Sequence, residues 1–221
     1  MKPITCLVVW LGFMGMAWSQ SEPSLPWTFK GGLMGGVTTS QIRGDRADGF
    51  NKFGLHGGAL LEMRRYANLG FQLGIVYNEK GSRKVQYPKI GDFTTWRYKF
   101  SYFDIPITAI YDWRDGITVG AGLQPSVLIN ALEDGITTGS VTGDWNPTAL
   151  PIRKYELAWV LWVGMRRGES GEWFMRHTQS LLSIAPRPEI VNPVIRRDDR
   201  MLNVTLQAGY AWFFSRATAD S

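Results

Sequence analysis

The only two imidazoles in this 221-residue chain are His56 and His177. General-base catalysis would need one of them beside a nucleophile and an orienting carboxylate. Neither has a Ser and an Asp or Glu that the sequence assigns to it, and no His/Asp/Glu group has the spacing of a metal site. Cys6 is the single cysteine. It lies in an apolar stretch, residues 4–17, that follows Lys2 and precedes the small residues Ala17 and Ser19, the pattern of a cleaved secretory signal over 1–19. The exported chain is therefore expected to be Cys-free, with no thiolate nucleophile, thiolate metal site or disulfide. These residue types predict no enzyme, no cofactor and no metal.

The remaining ionisable residues of interest are Lys30, His56, Glu62, Arg64, Lys80, Asp104, Asp112, Glu156, Arg166 and, register permitting, Arg176. Their place in the alternation described next puts them on one face of successive strands. Charges gathered on the inner face of a narrow barrel must pair, because a lone charge in a poorly solvated interior is costly. A salt-bridged, plugged interior is the expectation; an ion path or small-ligand site is the alternative.

Period-2 alternation, the strand signature, marks eight segments: 27–38, 52–66, 69–84, 97–113, 117–131, 154–168, 172–185 and 200–214. Most are long enough to cross a bilayer at a tilt, which takes about 9–11 residues. After the leader no apolar run reaches membrane-helix length, the longest being about 157–165. Three connections are tight turns, at 67–68, 114–116 and 169–171. They alternate with four long polar loops, at 39–51, 85–96, 132–153 and 186–199. Short turns at one end and long loops at the other are the pattern of an even-stranded outer-membrane barrel. The fold expected is all-β: a closed, antiparallel, eight-stranded transmembrane barrel over 27–214. Residues 20–26 and 215–221 would then be periplasmic ends.

The two faces separate lipid from water. In the third segment Leu69, Phe71, Leu73, Ile75 and Tyr77 alternate with Gly70, Gln72, Gly74 and Asn78. In the fifth, Ile117, Val119, Ala121, Leu123, Val127 and Ile129 alternate with Thr118, Gly120, Gly122, Gln124, Ser126 and Asn130. The seventh mixes types at Met175, His177, Gln179 and Leu181, which leaves its register open. Glycines crowd the polar face (Gly32, Gly36, Gly54, Gly58, Gly120, Gly122), where small residues suit a narrow lumen. Aromatics rim the apolar face: Trp27, Phe29, Tyr111, Trp113 and Trp173 toward the short-turn end, Tyr77, Phe103 and Tyr155 toward the long loops. Trp and Tyr favour membrane interfaces, where the ring is apolar and the polar atom stays wet. Gln207, Gly209, Trp212 and Phe214 form a polar-x-Gly-x-x-aromatic-x-aromatic run, similar to the signal that barrel-assembly machinery reads.

Tyr77-Asn78-Glu79-Lys80-Gly81, Tyr102-Phe103-Asp104-Ile105-Pro106 and Gly120-Ala121-Gly122-Leu123-Gln124-Pro125 resemble motifs of the PorT-like outer-membrane β-barrel family of Bacteroidota. The resemblance implies the fold and the location, and a non-enzymatic accessory role that in the name-giving member belongs to type IX secretion. A free-standing OmpX-like binding or surface-protection barrel is the second reading, and a small barrel enzyme acting on lipid A or peptides the third. The charge, 24 basic against 19 acidic residues, is too mild and scattered for nucleic acid. Expected partners are outer-membrane lipid and lipopolysaccharide, touched by the basic loops 81–89 and 187–200, the barrel-assembly machinery, and a protein in an outer-membrane complex. Arg43-Gly44-Asp45 spells an adhesion tripeptide, which ordinary loop chemistry also produces.

Overall fold

The computed structural model describes residues 26–45, 47, 49–85, 89, 94–114, 116–137, 152–168, 170–185, 200–214 and 217–218. The leader 1–19, most of 20–26 and of the tail, and the greater part of three of the four long loops lie outside them. The described strands are β1 (Thr28–Arg43), β2 (Lys52–Arg64), β3 (Leu69–Lys84), β4 (Thr94–Asp104), β5 (Ile107–Arg114), β6 (Ile117–Thr137), β7 (Tyr155–Arg167), β8 (Gly171–Ser180), β9 (Leu202–Phe213) and the two-residue β10 (Ala217–Thr218).

All pairings are antiparallel, each strand lying beside its neighbour in the chain. β9 returns to pair with β1 over Gly32–Phe213 to Arg43–Leu202, which closes the ring. β4 and β5 are two halves of one wall strand, since both lie between β3 and β6. The interruption is Ile105-Pro106, where proline has no N–H to give the ladder. The gap is bridged by Ile105 N–H donating to the Pro125 carbonyl and Gly74 N–H donating to the Pro106 carbonyl, at 2.8 and 3.0 Å. The wall thus has eight strands. β10, within the segment expected as a periplasmic end, adds a short pairing with Thr28 and Phe29.

Closure has a covalent-geometry requirement. A Cβ on Gly36 would run into the Ala208 carbonyl oxygen and come within 2.6 Å of the Gly209 Cα. Only glycine lets β1 and β9 approach at that point. Gly35, one residue away and pointing outward, would place its Cβ 3.8 Å from the nearest atom, the His56 carbonyl oxygen.

The side-chain alternation is that expected of a membrane barrel. Leu73, Ile107 and Leu206 are 36%, 50% and 36% exposed, so they point out of the cylinder and not into it. Gln72, Asn78, Lys80, Asp104, Thr108, Gln124 and Gln207 are buried inside. The seventh wall strand, open in the sequence, resolves cleanly: Glu172, Phe174, Arg176, Thr178 and Ser180 face in, and Met175, His177 and Gln179 face out. It ends at Ser180, short of residue 185; Ile184 and Ala185 instead enter a buried cluster at the long-loop end with Ile42, Tyr98, Phe100, Tyr102 and Met201.

Three other expectations are corrected. β6 carries a bulge: Ser101 pairs with Asn130 and Tyr102 with Leu128, so Ile129 is the extra residue. The parity flips there, turning Asn130 outward and leaving Leu128 partly buried against the inner cluster. β1 and β6 run on to Arg43 and Thr137, beyond the ends of the sequence pattern. The interior also holds an apolar layer (Met34, Leu60, Val76, Trp162, Phe174, Ala211 and Phe213) that the charge-and-glycine picture lacked.

Gly36→Val should prevent ring closure, so unheated samples would lose the compact, fast-migrating band on a semi-denaturing gel. Gly35→Val should keep that band.

Candidate functional site

The lumen is layered along the axis. Nearest the short turns lies a charged layer built on Glu62. Its carboxylate takes Arg64 Nε at 2.5 Å and Arg166 Nη2 at 2.7 Å. Arg64 also grips Asp112 with both terminal nitrogens, at 2.7 and 3.1 Å, and Thr118 Oγ1 donates to the same carboxylate at 3.0 Å. Arg166 Nε reaches Glu172 at 3.3 Å, and Trp162 Nε1 donates to Glu172 at 2.8 Å. Lys30 stands in register with Glu62. Bidentate guanidinium contacts of this kind are strong and directional.

Above this comes the apolar layer, with Trp162 and Phe174 stacked at 4.3 Å between ring centres. A second polar layer follows. Lys80 Nζ sits 2.8 Å from Asp104 and 3.4 Å from Glu156, and 4.6 Å over the Tyr102 ring. Ser180 Oγ and Asn203 Nδ2 donate to Glu156 at 2.5 and 3.0 Å, and Asn78 Nδ2 donates to Asp104 at 2.8 Å. Thr38 Oγ1 donates to Asn78 Oδ1 at 2.8 Å and lies 3.1 Å from His56 Nδ1. Arg176, 1% exposed, donates from Nε to Gln207, while its two terminal nitrogens have no hydrogen-bond partner.

All nine residues expected in the lumen charge network, Lys30, His56, Glu62, Arg64, Lys80, Asp104, Asp112, Glu156 and Arg166, lie on inward-facing positions. They form two groups and not one. Arg176 belongs with the upper group, and Glu172 was missed in the sequence although it shares parity with Arg176.

What this arrangement does is hold charge. His56 has a hydroxyl on Nδ1, no partner on Nε2, and the Phe174 ring 5.7 Å away. His177 is on the other side of the wall, packed against Trp159 at 4.9 Å. The two imidazoles cannot act on one substrate. Among the described residues no three His, Cys, Asp or Glu side chains gather as a metal site.

The other sequence features find their places. Trp27, Tyr111, Trp113 and Trp173 are exposed at the short-turn end, with Phe29 partly exposed beside them. Tyr77, Phe103 and Tyr155 are exposed toward the loops. In the closing strand Gln207 and Gly209 face in, and Trp212 and Phe214 face out. The adhesion-like tripeptide is not displayed: Asp45 is 2% exposed and accepts from Ser82 Oγ and the Ala47 N–H.

Lys80→Met would strand two buried carboxylates and should destabilise the barrel by about 3–5 kcal/mol. Arg176→Met removes a cation that makes no close ion pair, only a longer-range interaction with Asp104, and should change stability less. Urea unfolding in detergent micelles, followed by tryptophan fluorescence, checks both.

Among solved structures, the chain is similar to Ail of Yersinia pestis in complex with the heparin analogue sucrose octasulfate, at 10% identity over 84% of this chain and 99% of that one, TM-score 0.43. OprG of Pseudomonas aeruginosa aligns at 12% identity over 86% of this chain and 97% of that one, TM-score 0.34. The protease OmpT of Escherichia coli aligns at 9% identity over 89% and 99%, TM-score 0.30. No curated protein matches. The family model described as outer membrane protein beta-barrel domain matches residues 18–175. With that match spanning most of a wall that closes on itself and turns its apolar face outward, the chain belongs to the outer membrane β-barrel domain family and resides in the outer membrane.

Proposed function

We propose that the protein is a closed, non-enzymatic barrel serving as a structural or accessory component of an outer-membrane assembly, exported by the leader 1–19. The observation that carries this reading is the filled lumen. An eight-stranded barrel is only wide enough for its own side chains, and here two ion-paired layers flank the stacked Trp162–Phe174 pair across the axis. Such a barrel acts through its outer wall and its loops. Assembly by the barrel-assembly machinery is supported by the position of Gln207, Gly209, Trp212 and Phe214 along and just past β9, the strand that closes the ring against β1. A type IX secretion role rests on the PorT-like motifs alone.

The second reading, a free-standing OmpX-like binding or surface-protection barrel, is favoured by one observation. β3 and β4 continue past the aromatic pair Tyr77–Phe103 with the outward polar residues Glu79, Arg83, Lys99 and Ser101. Strands that rise past the membrane interface offer an edge to a partner outside the cell.

Purification from native membranes in mild detergent should recover the barrel with a stoichiometric larger protein. Recovery of the barrel alone would favour the second reading. In planar bilayers no discrete conductance steps are expected; their appearance would overturn the plugged lumen.

A further inference from the structure

In the upper polar layer the side chains are bonded in sequence around the wall, and their chemistry fixes the direction of each proton. Arg176 has only donors. Its Nε donates to Gln207 Oε1, so Gln207 must turn its oxygen toward the guanidinium and its amide nitrogen away. At the other end of the sequence stands Asp104, paired with Lys80 Nζ at 2.8 Å. A carboxylate only accepts. Asn78 Nδ2 therefore donates to Asp104 Oδ2 at 2.8 Å, which leaves Asn78 Oδ1 to accept. Thr38 Oγ1 gives that oxygen its one proton, at 2.8 Å. Thr38 then has only lone pairs to offer His56 Nδ1, 3.1 Å away, so Nδ1 carries the imidazole proton. A neutral His56 thus presents a bare lone pair at Nε2.

The atoms left over fall into two sets. Arg176 Nη1 and Nη2, on β8, and Gln207 Nε2, on β9, are donors; His56 Nε2, on β2, is an acceptor. All three side chains are buried, and none of these atoms has a hydrogen-bond partner among the described residues. Asp104 Oδ1, on β4, has its ion pair with Lys80 but no hydrogen bond, and a carboxylate oxygen has a second lone pair. The two sets share one stretch of the bore. β9 stands across the ring from β4. The His56 ring reaches to 5.7 Å from that of Phe174, two residues from Arg176 on the same face of β8. The Asp104 charge acts on both Arg176 and His56 without a close ion pair to either.

We infer that ordered water on the barrel axis joins Arg176 and Gln207 to His56 and Asp104. Water fits because it does both jobs: it accepts from the first set and donates to the second. Buried waters make about three hydrogen bonds each, to polar groups that the protein leaves unmatched. A halide would satisfy the donors alone and would set a negative charge against the His56 lone pair and the Asp104 carboxylate. The layer is balanced without one, with Lys80 and Arg176 against Asp104 and Glu156. The site lies within the bore, so it is independent of what the outer wall and loops bind.

NMR of 15N-histidine-labelled protein folded in detergent micelles tests it, with His177→Gln leaving a single imidazole and so assigning the signals. His56 should show a pyrrole-type Nδ1 and a pyridine-type Nε2; the opposite tautomer, or two pyrrole-type nitrogens, would overturn the site. The carbon-bound Hε1 beside Nε2 should give a rotating-frame dipolar cross-peak with water, which that proton cannot acquire by exchange. Its absence would count equally against the inference. Arg176→Met takes two donors from the water and should lose the cross-peak while keeping the tautomer, which Thr38 sets. Thr38→Val removes the acceptor for Nδ1–H and should move the proton to Nε2. A barrel merely loosened by substitution would not separate these two signals, and failure of either change would defeat the assignment. Crystals soaked in bromide give the remaining check: solvent density without bromide beside Arg176 is expected, and bromide there would replace water with an anion. A band shift on heating shows that each variant is folded, so failure of the site is distinguishable from failure of the barrel itself.

Discussion

Hydrocarbon offers a peptide group no hydrogen-bond partner, so every backbone N–H and C=O at membrane depth must be paired within the protein. A sheet meets that demand only by joining its first strand to its last. Here the join is β1 to β9 over twelve residue pairs, from Gly32–Phe213 to Arg43–Leu202. The rest of the structure follows. Eight strands closed at this tilt enclose a bore with room for side chains and little else. Positions on the inner face must then be small, paired or stacked. Gly36 at the seam, the Glu62–Arg64–Arg166 group and the Trp162–Phe174 stack are three answers to the same shortage of space.

The same constraint explains the order of the layers. Charges placed at the middle of the bore are far from water at either mouth, and their cost is met only by neighbours of opposite sign and by hydrogen bonds. Lys80 has both carboxylates and an aromatic face within reach. Glu156 has Lys80, Ser180 and Asn203. The apolar layer separates this group from the one at the short turns, so each group neutralises itself. Arg176 completes that balance in the upper group, where Lys80 and Arg176 stand against Asp104 and Glu156: the Asp104 charge acts on it, while its one hydrogen-bond partner is the neutral amide of Gln207.

Much of this was legible in the sequence because lipid imposes a strict rule on every second residue. The expected range 69–84 is the observed β3, and the residues expected on its inner face, Gly70, Gln72, Gly74, Asn78 and Lys80, are found there. What escaped has physical causes. Ile129 bulges because of how β6 meets β4, a property of the pair that β6 alone does not encode. Val160 and Trp162 face in and Leu161 and Val163 face out, all of them apolar, so nothing in the types of this stretch marked an apolar layer on the inner face. His177 and Gln179 put polar atoms on the outer face of β8, which blurred its register; carrying parity back from Arg176 and its pairing with Gln207 would have restored it.

The wall is less symmetric at the loop end than at the turn end, and the asymmetry has a direction. Near the short turns each strand pairs with both neighbours, because a tight turn leaves no freedom for the strands to diverge. At the other end the β2–β3 ladder stops at His56–Asn78, although Gly54 still lies against the Glu79 backbone, on the side where β3, β4 and β6 rise past the aromatic pair. An unpaired edge inside the hydrocarbon would be costly, but one at headgroup level can be satisfied by side chains, as Glu79 does for Leu55. The ladder is thus released where the solvent first permits it. Because the bore is filled, the outer wall and the loops above it are the surfaces left to meet anything beyond the membrane that holds the molecule.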